Sequence, residues 1–250
     1  MQYQVEKIYP VIDTNREKGQ KLIKIIQSQL SHLLVDSPEK ADLIVVWGWD
    51  GYFMHSIKKY LSYKKPFFGV NCGTLWFLLN SFDSWEIFKK ENIQVDLLKQ
   101  LTLKAEITTT TWEKITVNAI NDFVLWNSLF DYFKFNISLF KEKIAWTWLV
   151  ISSTVWSTGY WKWLGWTYFP LTAYNLIWIG GIATWKFDKE IISRDNFEIL
   201  IEWRESCNIA IDGKMQIIRN IEKINVFKKW ERYELAFVNV NKFERKRIQI

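Results

Sequence analysis

Tryptophan occupies the loops that follow the apolar runs of this chain, where a backbone turn normally uses glycine. The run at 43–46 leads into Trp47-Gly48-Trp49-Asp50-Gly51, and Trp76 and Trp156 lie in similar glycine-containing segments. Glycine lacks a Cβ, so it adopts backbone conformations and close approaches that an indole ring prevents. The chain has 16 Trp and only 10 Gly in 250 residues, where roughly 17 Gly are typical for this length.

We therefore hypothesise that most of these Trp replace glycines. This happens when a gene that uses UGA for glycine, as in some bacterial lineages, is translated with UGA as tryptophan. Reading Trp49, Trp76 and Trp156 as glycine turns the three segments into GGDG, GTLGFL and VGSTGY. The alternative is a chain that is rich in Trp as core or stacking residues.

The first hundred residues predict alternating strands and helices, from the length and spacing of their apolar residues. The order is strand 7–13, helix 22–34, strand 43–46, helix 54–63 and strand 66–70. This order favours a doubly wound α/β domain over residues 1–99, with ligands bound at the carboxyl ends of the strands.

From residue 100 to 250 the pattern changes to short alternating strands without a long amphipathic helix. Strands are predicted at 101–117, 133–139, 197–201, 209–211, 217–218 and 235–240. We predict an all-β, sandwich-like domain over 100–250. The periodicity leaves open whether the tail returns to the first domain.

Charge and hydropathy narrow the class of protein. The net charge of +6 suits polyanionic ligands such as nucleotides, but the charges are scattered. The basic cluster at 242–247 is typical of a solvated end, so no nucleic-acid partner is expected. No apolar run reaches the ~18 residues of a membrane span, and residues 1–7 lack the apolar core of a secretory signal. Cys72 and Cys207 form no disulfide framework or metal motif, so we expect a cytoplasmic protein without metal-ligand residues.

Four segments, taken in order, resemble motifs of the NAD kinase family. The GGDG loop alone also occurs in lipid kinases and phosphofructokinases, whereas the GSTxY-like segment after an apolar strand, together with Asn121-Asp122, is the discriminating feature. The late pair Asp212-Gly213 is a weaker fifth element, similar to DGQ. The four segments are Gly48-Trp49-Asp50-Gly51-Tyr52-Phe53-Met54 (similar to GGDGTFL), 69–78 (GINxGxLGFL), Asn121-Asp122 and 149–160 (LIVSTPTGSTAY).

The resemblance implies an α/β domain followed by a β-sandwich, and an enzyme that makes NADP. It would transfer the γ-phosphoryl group of ATP, or of polyphosphate, to the 2′-hydroxyl of the NAD adenosine ribose, with Mg²⁺ or another divalent cation. Asp50 would contact the ribose hydroxyls and act as general base. Gly48, Trp49 and Gly51 would offer backbone N–H groups to phosphates.

Further roles follow from the same resemblance. Phe53 would border the NAD site, and Asn121 and Asp122 would hold the adenine and ribose. The dinucleotide site would be lined by Ser157, Thr158, Gly159 and Tyr160. The other interpretations are a turn role for Asp50 and core roles for Phe53 and Tyr160. NAD and ATP are then the small-molecule partners, and the family forms homodimers or homotetramers.

Two departures from the family pattern keep other functions open. Tyr52 replaces the Thr after GGDG, and Thr147 replaces an Asp in the segment before the fourth motif. Both favour a catalytically degenerate NAD-binding protein. A diacylglycerol-type lipid kinase shares the loop but does not explain Asn121-Asp122.

Overall fold

The chain divides into two compact units, residues 1–100 with 233–250 and residues 101–232. A computed structural model describes residues 2–15, 17–74, 76–127, 133–139, 144–156, 169–174, 176–183, 186–193, 196–201, 207–216, 218, 220–227 and 231–249. Among these residues, no helix is long and apolar enough to cross a membrane.

The first unit is built on a six-stranded mixed sheet. Its elements are β1 (Gln2–Val5), β2 (Ile8–Ile12), α1 (Glu17–Leu30), β3 (Leu43–Gly48), α2 (Asp50–Tyr60), β4 (Phe67–Asn71), β5 (Ile93–Leu101), β18 (Arg232–Phe237) and α3 (Val240–Gln249). The strand order is β1-β5-β18-β4-β3-β2. Strands β2, β3, β4 and β18 run parallel, and β1 pairs antiparallel with β5.

The helices α1 and α2 cover opposite faces of this sheet. Phe68 and Val70 of β4 share a core cluster with the buried side of α1. Gly69, between them, faces the other way: a Cβ there would overlap Leu79 and lie 3.0 Å from the ring of Phe53 in α2. Neighbouring strand residues point to opposite faces, so the first unit has helices on both sides, as a doubly wound domain requires.

The second unit consists of two six-stranded sheets. Their orders are β10-β9-β14-β17-β6-β7 and β13-β12-β11-β8-β15-β16. The strands are β6 (Leu103–Thr109), β7 (Lys114–Ala119), β8 (Asp122–Asn127), β9 (Phe133–Ile137), β10 (Ile144–Trp146), β11 (Trp148–Ser153), β12 (Ile177–Ala183), β13 (Lys186–Ser193), β14 (Phe197–Ile201), β15 (Cys207–Ile211), β16 (Lys214–Gln216) and β17 (Ile221–Phe227).

One buried cluster joins the two sheets of the second unit. It contains Ala105 and Ile107 from one sheet and Leu125, Leu149 and Ile209 from the other. The inward residues alternate with more exposed ones along β6, as expected for a strand with one buried face. The predicted α/β plus β-rich fold class is therefore confirmed.

The structure corrects five details of the predicted elements. A strand at 2–5 precedes the predicted first strand. Helix α2 begins at Asp50 rather than at Met54. Ile218 lies outside any strand. The predicted strand 235–240 ends at Phe237, and helix α3 begins at Val240, where we predicted no long helix.

Helix α3 was missed because part of its stabilisation comes from Asp96, which is distant in sequence, and because its apolar face is narrow. The side chain of Asn239 caps it, accepting the N–H of Lys242 at 2.8 Å. Asp96 accepts the N–H of Val240 at 3.1 Å. The ring of Phe243 stacks on Phe237 with 4.2 Å between centroids. Its basic residues dominate the composition and hide this narrow apolar face.

Candidate functional site

Helix α2 begins at the acidic residue of the first motif. Trp49 has an extended backbone (φ −120°, ψ 168°), and Asp50 is the first helical residue. The carbonyl of Trp49 accepts the N–H of Phe53 at 2.9 Å. Asp50 and Gly51 therefore lie in the first turn, where N–H groups lack intrahelical acceptors and the helix dipole favours an anion.

The carboxylate of Asp50 joins the first two motifs. Its Oδ2 accepts the backbone N–H of Phe77 at 2.8 Å, and its Oδ1 accepts the N–H of Leu78 at 3.2 Å. The residue is only 6% exposed. The two N–H groups therefore fix the orientation of a buried carboxylate.

The indole ring of Trp49 covers the start of the helix. A Cβ built on Gly51 would overlap the six-membered ring of Trp49. Trp49 itself is 43% exposed, so the ring lies over the helix start on the solvent side. A glycine at position 49 would leave the backbone of this turn accessible to a phosphate.

Tyr52 points away from the first turn of α2 toward the end of β2. Its ring packs on Gly48, where a Cβ would lie 2.7 Å from Cδ1 of the tyrosine. Its hydroxyl donates to the carbonyl of Ile12 at 3.0 Å. Burial, followed by the nearby Asp13 carboxylate, raises the pKa of the Tyr52 phenol. This departure from the family pattern therefore adds a contact between β2 and α2.

Phe53 is a core residue of the first unit. It is 1% exposed, and its ring lies against Gly69. This is the core role that we considered for it; contact with NAD stays a prediction.

The loop after β4 is fixed by two asparagines. Asn71 and Gly73 bond reciprocally: the amide of Asn71 donates to the Gly73 carbonyl at 3.0 Å and its Oδ1 accepts the Gly73 N–H at 2.9 Å.

Asn80 donates from Nδ2 to the carbonyls of Gly69 (3.0 Å) and Ala236 (3.1 Å), and its Oδ1 accepts the N–H of Val238 (3.1 Å). The loop that carries Phe77 and Leu78 is thus tied to β4 and to β18.

Sequence reasoning missed the role of Asn80. The residue is buried, at 5% exposure, but the sequence alone does not show that this amide is buried. The nearest hint in the sequence is an Asn at the end of a glycine-containing motif, which is also typical of an ordinary turn.

Helix α3 reaches the same loop. The ammonium group of Lys246 lies 3.9 Å from the ring centroid of Trp76, within the range of a cation–π contact. Lys246 is exposed, and it belongs to the basic cluster that we interpreted as a solvated end. Its contact depends on the aromatic ring at position 76.

In the second unit, Asn121 and Asp122 lie at the start of β8 and are buried. Asn121 is 7% exposed and Asp122 is 3% exposed. The Oδ1 atoms of both side chains are buried without a hydrogen-bond partner among the described residues. Buried polar atoms are normally hydrogen-bonded, so these two atoms mark a place where a ligand could donate.

The environment of Asp122 favours its protonated form. Burial, and then the charge of Asp212, raise the pKa of the Asp122 carboxyl to about 7. Loss of solvation penalises the charged carboxylate, and a like charge penalises it further. At neutral pH the group is therefore poised between hydrogen-bond donor and acceptor.

Residues Ser157, Thr158, Gly159 and Tyr160 lie outside the described residues, and so does Leu75 of the second motif. The fourth motif is described as far as position 156, with β11 followed by a short 3₁₀ turn at Thr154–Trp156. Thr147, the second departure from the family pattern, is 7% exposed, and its hydroxyl has no hydrogen-bond partner among the described residues.

No metal centre is visible in the described part of the chain: no three His, Cys, Asp or Glu side chains there are placed to hold an ion.

No family model matches the chain. Proteins named NAD kinase from Rickettsia africae (strain ESF-5) and Rickettsia conorii (strain ATCC VR-613 / Malish 7) are each 32% identical to it over 102 residues. The match covers 40% of this chain and 39% of each relative. The NAD kinase of Rickettsia akari (strain Hartford) is 35% identical over 89 residues, 34% of each chain. The chain therefore matches less than half the length of these relatives.

Two solved structures share the fold along nearly the whole chain. Yeast NADH kinase complexed with NADH has a TM-score of 0.75 and 15% identity, covering 98% of this chain and 87% of that one. An NAD kinase from Archaeoglobus fulgidus in complex with ATP has a TM-score of 0.64 and 17% identity, covering 96% and 95%. Together with the helices and strands described above, these two similarities establish the fold of this chain.

Proposed function

We propose that this chain is an NAD kinase, a phosphotransferase that uses an alcohol group as acceptor. It transfers the γ-phosphoryl group of ATP to the 2′-hydroxyl of the NAD adenosine ribose and yields NADP. The observation that carries the proposal is Asp50: a buried carboxylate at a helix start, oriented by two N–H groups of the second motif. The similarity to proteins named NAD kinase supports it.

The chemistry at Asp50 depends on orientation. The two N–H groups hold the carboxylate in one position, where it accepts the ribose hydroxyl and takes its proton. Such a general base contributes about 10²–10⁴-fold to the rate. Backbone N–H groups of Gly48, position 49 and Gly51 face the phosphates, and a divalent cation enters with the nucleotide.

The second unit supplies contacts to NAD. Asn121 and Asp122 hold the adenine and ribose, which agrees with their buried, unbonded oxygens. Ser157, Thr158, Gly159 and Tyr160 line the dinucleotide site by resemblance alone.

We also infer that the natural polypeptide carries glycine at many of the Trp positions. Trp112, in the turn between β6 and β7, has φ 64° and is 77% exposed. A bulky residue with positive φ is a true outlier, whereas glycine adopts this conformation freely. A large apolar ring on a solvent-exposed turn also lacks a packing role.

Two buried tryptophans support the same inference. Trp47 and Trp146 are fully buried, and their Nε1 atoms have no hydrogen-bond partner among the described residues. A buried N–H without a partner costs about 1–3 kcal/mol. Buried Trp normally finds a partner for this group, so these indoles fit their sites poorly.

The gene tests this inference directly. We expect UGA at codons 49, 76 and 156, and glycine at those positions in the polypeptide purified from its source and weighed by mass spectrometry. UGG at the three codons would refute it.

The enzymatic proposal is tested with two polypeptides. One has the tryptophans of this sequence, and the other carries Trp49→Gly, Trp76→Gly and Trp156→Gly. With NAD, ATP and Mg²⁺, we expect NADP from the glycine form only, because the indole ring at position 49 covers the start of α2 where the phosphates would bind. NADP formation by the tryptophan form contradicts the expectation that only the glycine form is active.

Asp50→Asn in the active form tests the role of the carboxylate. It keeps an oxygen that can accept an N–H but cannot take a proton, so kcat should fall by about 10²–10⁴. Asp83→Asn, at an exposed position, is the control for removal of one negative charge. Full activity of Asp50→Asn overturns the general-base role. If the glycine form without the Asp50 substitution binds NAD but does not phosphorylate it, the chain is a degenerate binding protein. If that form phosphorylates diacylglycerol instead of NAD, the chain is a lipid kinase.

Other parts of the proposal concern the donor, the assembly and the location. Polyphosphate is the alternative donor, and replacing ATP with it in the same assay decides between them. We expect a homodimer or homotetramer, measured by light scattering, and a cytoplasmic location, measured by cell fractionation.

A further inference from the structure

The segment that begins β8 is held from both sides by side chains that are distant in sequence. On one side, Oδ1 of Asp212 accepts the backbone N–H of Ile120 at 2.9 Å and that of Asn121 at 2.7 Å. On the other side, the hydroxyl of Ser153 donates to the carbonyl of Ile120 at 2.8 Å. The peptide groups on both sides of Ile120 are therefore fixed, and the second of them leads directly into Asn121.

Asp212 reaches this segment from a tight turn. Asp212 and Gly213 have φ 51° and 72° and form the two-residue loop of the β15–β16 hairpin, in which Ile211 pairs with Lys214. Positive φ at both positions is typical of a type I′ turn, for which Asp-Gly is a preferred pair. The N–H of Asp212 also donates to the carbonyl of Asp122 at 3.1 Å.

The turn alone does not account for the Asp212 side chain. Asn or Gly would satisfy the backbone conformation equally well, but only a side chain with an oxygen can accept the two N–H groups. The held segment also carries the two buried oxygens that have no hydrogen-bond partner among the described residues, Oδ1 of Asn121 and Oδ1 of Asp122. Such atoms are stable only when a ligand or water satisfies them.

We propose that Asp212, with Ser153 on the opposite side, is a positioning residue that fixes Asn121 and Asp122 for contact with the dinucleotide. The proposal rests on the proposed NAD kinase function, which supplies the ligand. Asp212 acts through the backbone of residues 120–121 and does not contact the dinucleotide.

Three variants separate the side chain from the turn. Asp212→Gly adopts positive φ freely but has no acceptor. Asp212→Asn keeps both the turn preference and an acceptor oxygen. Gly213→Ala strains the same turn and leaves the carboxylate in place, since a Cβ at Gly213 meets no atom within 4 Å.

The variants are made in the form of the chain that binds NAD. For each variant, NAD affinity is measured by titration calorimetry, and KM is measured for NAD and for ATP. We expect Asp212→Gly to weaken NAD binding roughly tenfold or more, in line with the loss of hydrogen bonds to a charged group. KM for ATP should stay unchanged. Asp212→Asn should restore affinity, and Gly213→Ala should leave it near the parent value.

The outcomes distinguish the positioning role of Asp212 from the proposed NAD kinase function. Parent-like affinity in Asp212→Gly, or an equal loss in all three variants, overturns the positioning role and leaves the proposed function standing. A parent chain that binds no NAD overturns the proposed function and this inference with it. If Asp212→Gly does not fold, Ser153→Ala replaces it, because it releases the Ile120 carbonyl without touching the turn; unchanged affinity in Ser153→Ala then overturns the proposal.

Discussion

The buried carboxyl of Asp122 should make the stability of this protein fall as the pH rises from acid to neutral. Burial, and then the charge of Asp212, raise its pKa from the ordinary value of 3.8 to about 7. The folded state therefore holds this proton more tightly than the unfolded state does. The stabilisation is fully present below pH 3.8 and is lost as the pH rises through about 7.

The magnitude follows from the two pKa values. Each pKa unit corresponds to about 1.4 kcal/mol, so the interval from 3.8 to about 7 is worth on the order of 4 kcal/mol in the free energy of unfolding. Asp122→Asn keeps the size of the side chain and removes the titration. Relative to this variant, the parent should lose on the order of 4 kcal/mol between about pH 4 and about pH 8.

Urea unfolding of both proteins across this pH range measures the difference. The two stability curves should converge in acid and separate as the pH approaches neutral. Asp212→Asn should reduce the separation, because it removes the like charge that faces Asp122. A difference that stays constant with pH, or one that grows toward acid, would refute the reasoning.

Two further changes test the packing of the first unit and the turn chemistry of the second. Asn80→Ala removes three side-chain hydrogen bonds, to the carbonyls of Gly69 and Ala236 and from the N–H of Val238, and should lower the free energy of unfolding by about 3 kcal/mol. Ser81→Ala, at an exposed position, should change it by less than about 0.5 kcal/mol. Equal effects in the two variants contradict the role of Asn80. The Trp112→Gly variant should be more stable than the Trp112→Ala variant by about 1 kcal/mol in the same unfolding assay, because only alanine keeps the strain of a positive φ. Equal stability of the two variants argues against that strain.

The core of the fold could be predicted because its signals are local. The continuous apolar run at 43–46 identifies β3, and Leu22, Ile26 and Leu30 show the spacing of the buried side of α1. Strand β1 (Gln2–Val5) carries two glutamines in four residues, so the alternation is too weak to see. The start of α2 was placed too late because Trp49 is not a capping residue and Gly51 lowers helix propensity.

In the first unit, the sequence shows the acidic residue of the candidate site but not the groups that orient it. Asp50 stands in a motif, but the N–H groups of Phe77 and Leu78 that orient it carry no side-chain signature. Any residue other than proline offers the same donor. The partners of Asn80 at Ala236 and Val238 are likewise invisible, since nothing local indicates that the end of the chain returns to this loop.

The two Asp-Gly pairs of the chain show how one local pattern serves two backbone conformations. Asp50 begins a helix, and Asp212 has φ 51° in a hairpin turn. In each case the carboxylate accepts two consecutive backbone N–H groups from a segment that is distant in sequence: Phe77 and Leu78, or Ile120 and Asn121.

The difference between the two pairs lies in how the oxygens are used. Asp50 divides its two N–H donors between Oδ1 and Oδ2, so both oxygens are oriented. Asp212 receives both donors on Oδ1, which fixes the donor segment firmly. The first arrangement suits a carboxylate that reacts, and the second suits one that holds other residues in place. Substitution by Asn should therefore lower kcat by about 10²–10⁴ at position 50 and be tolerated at position 212, although the two positions present the same dipeptide.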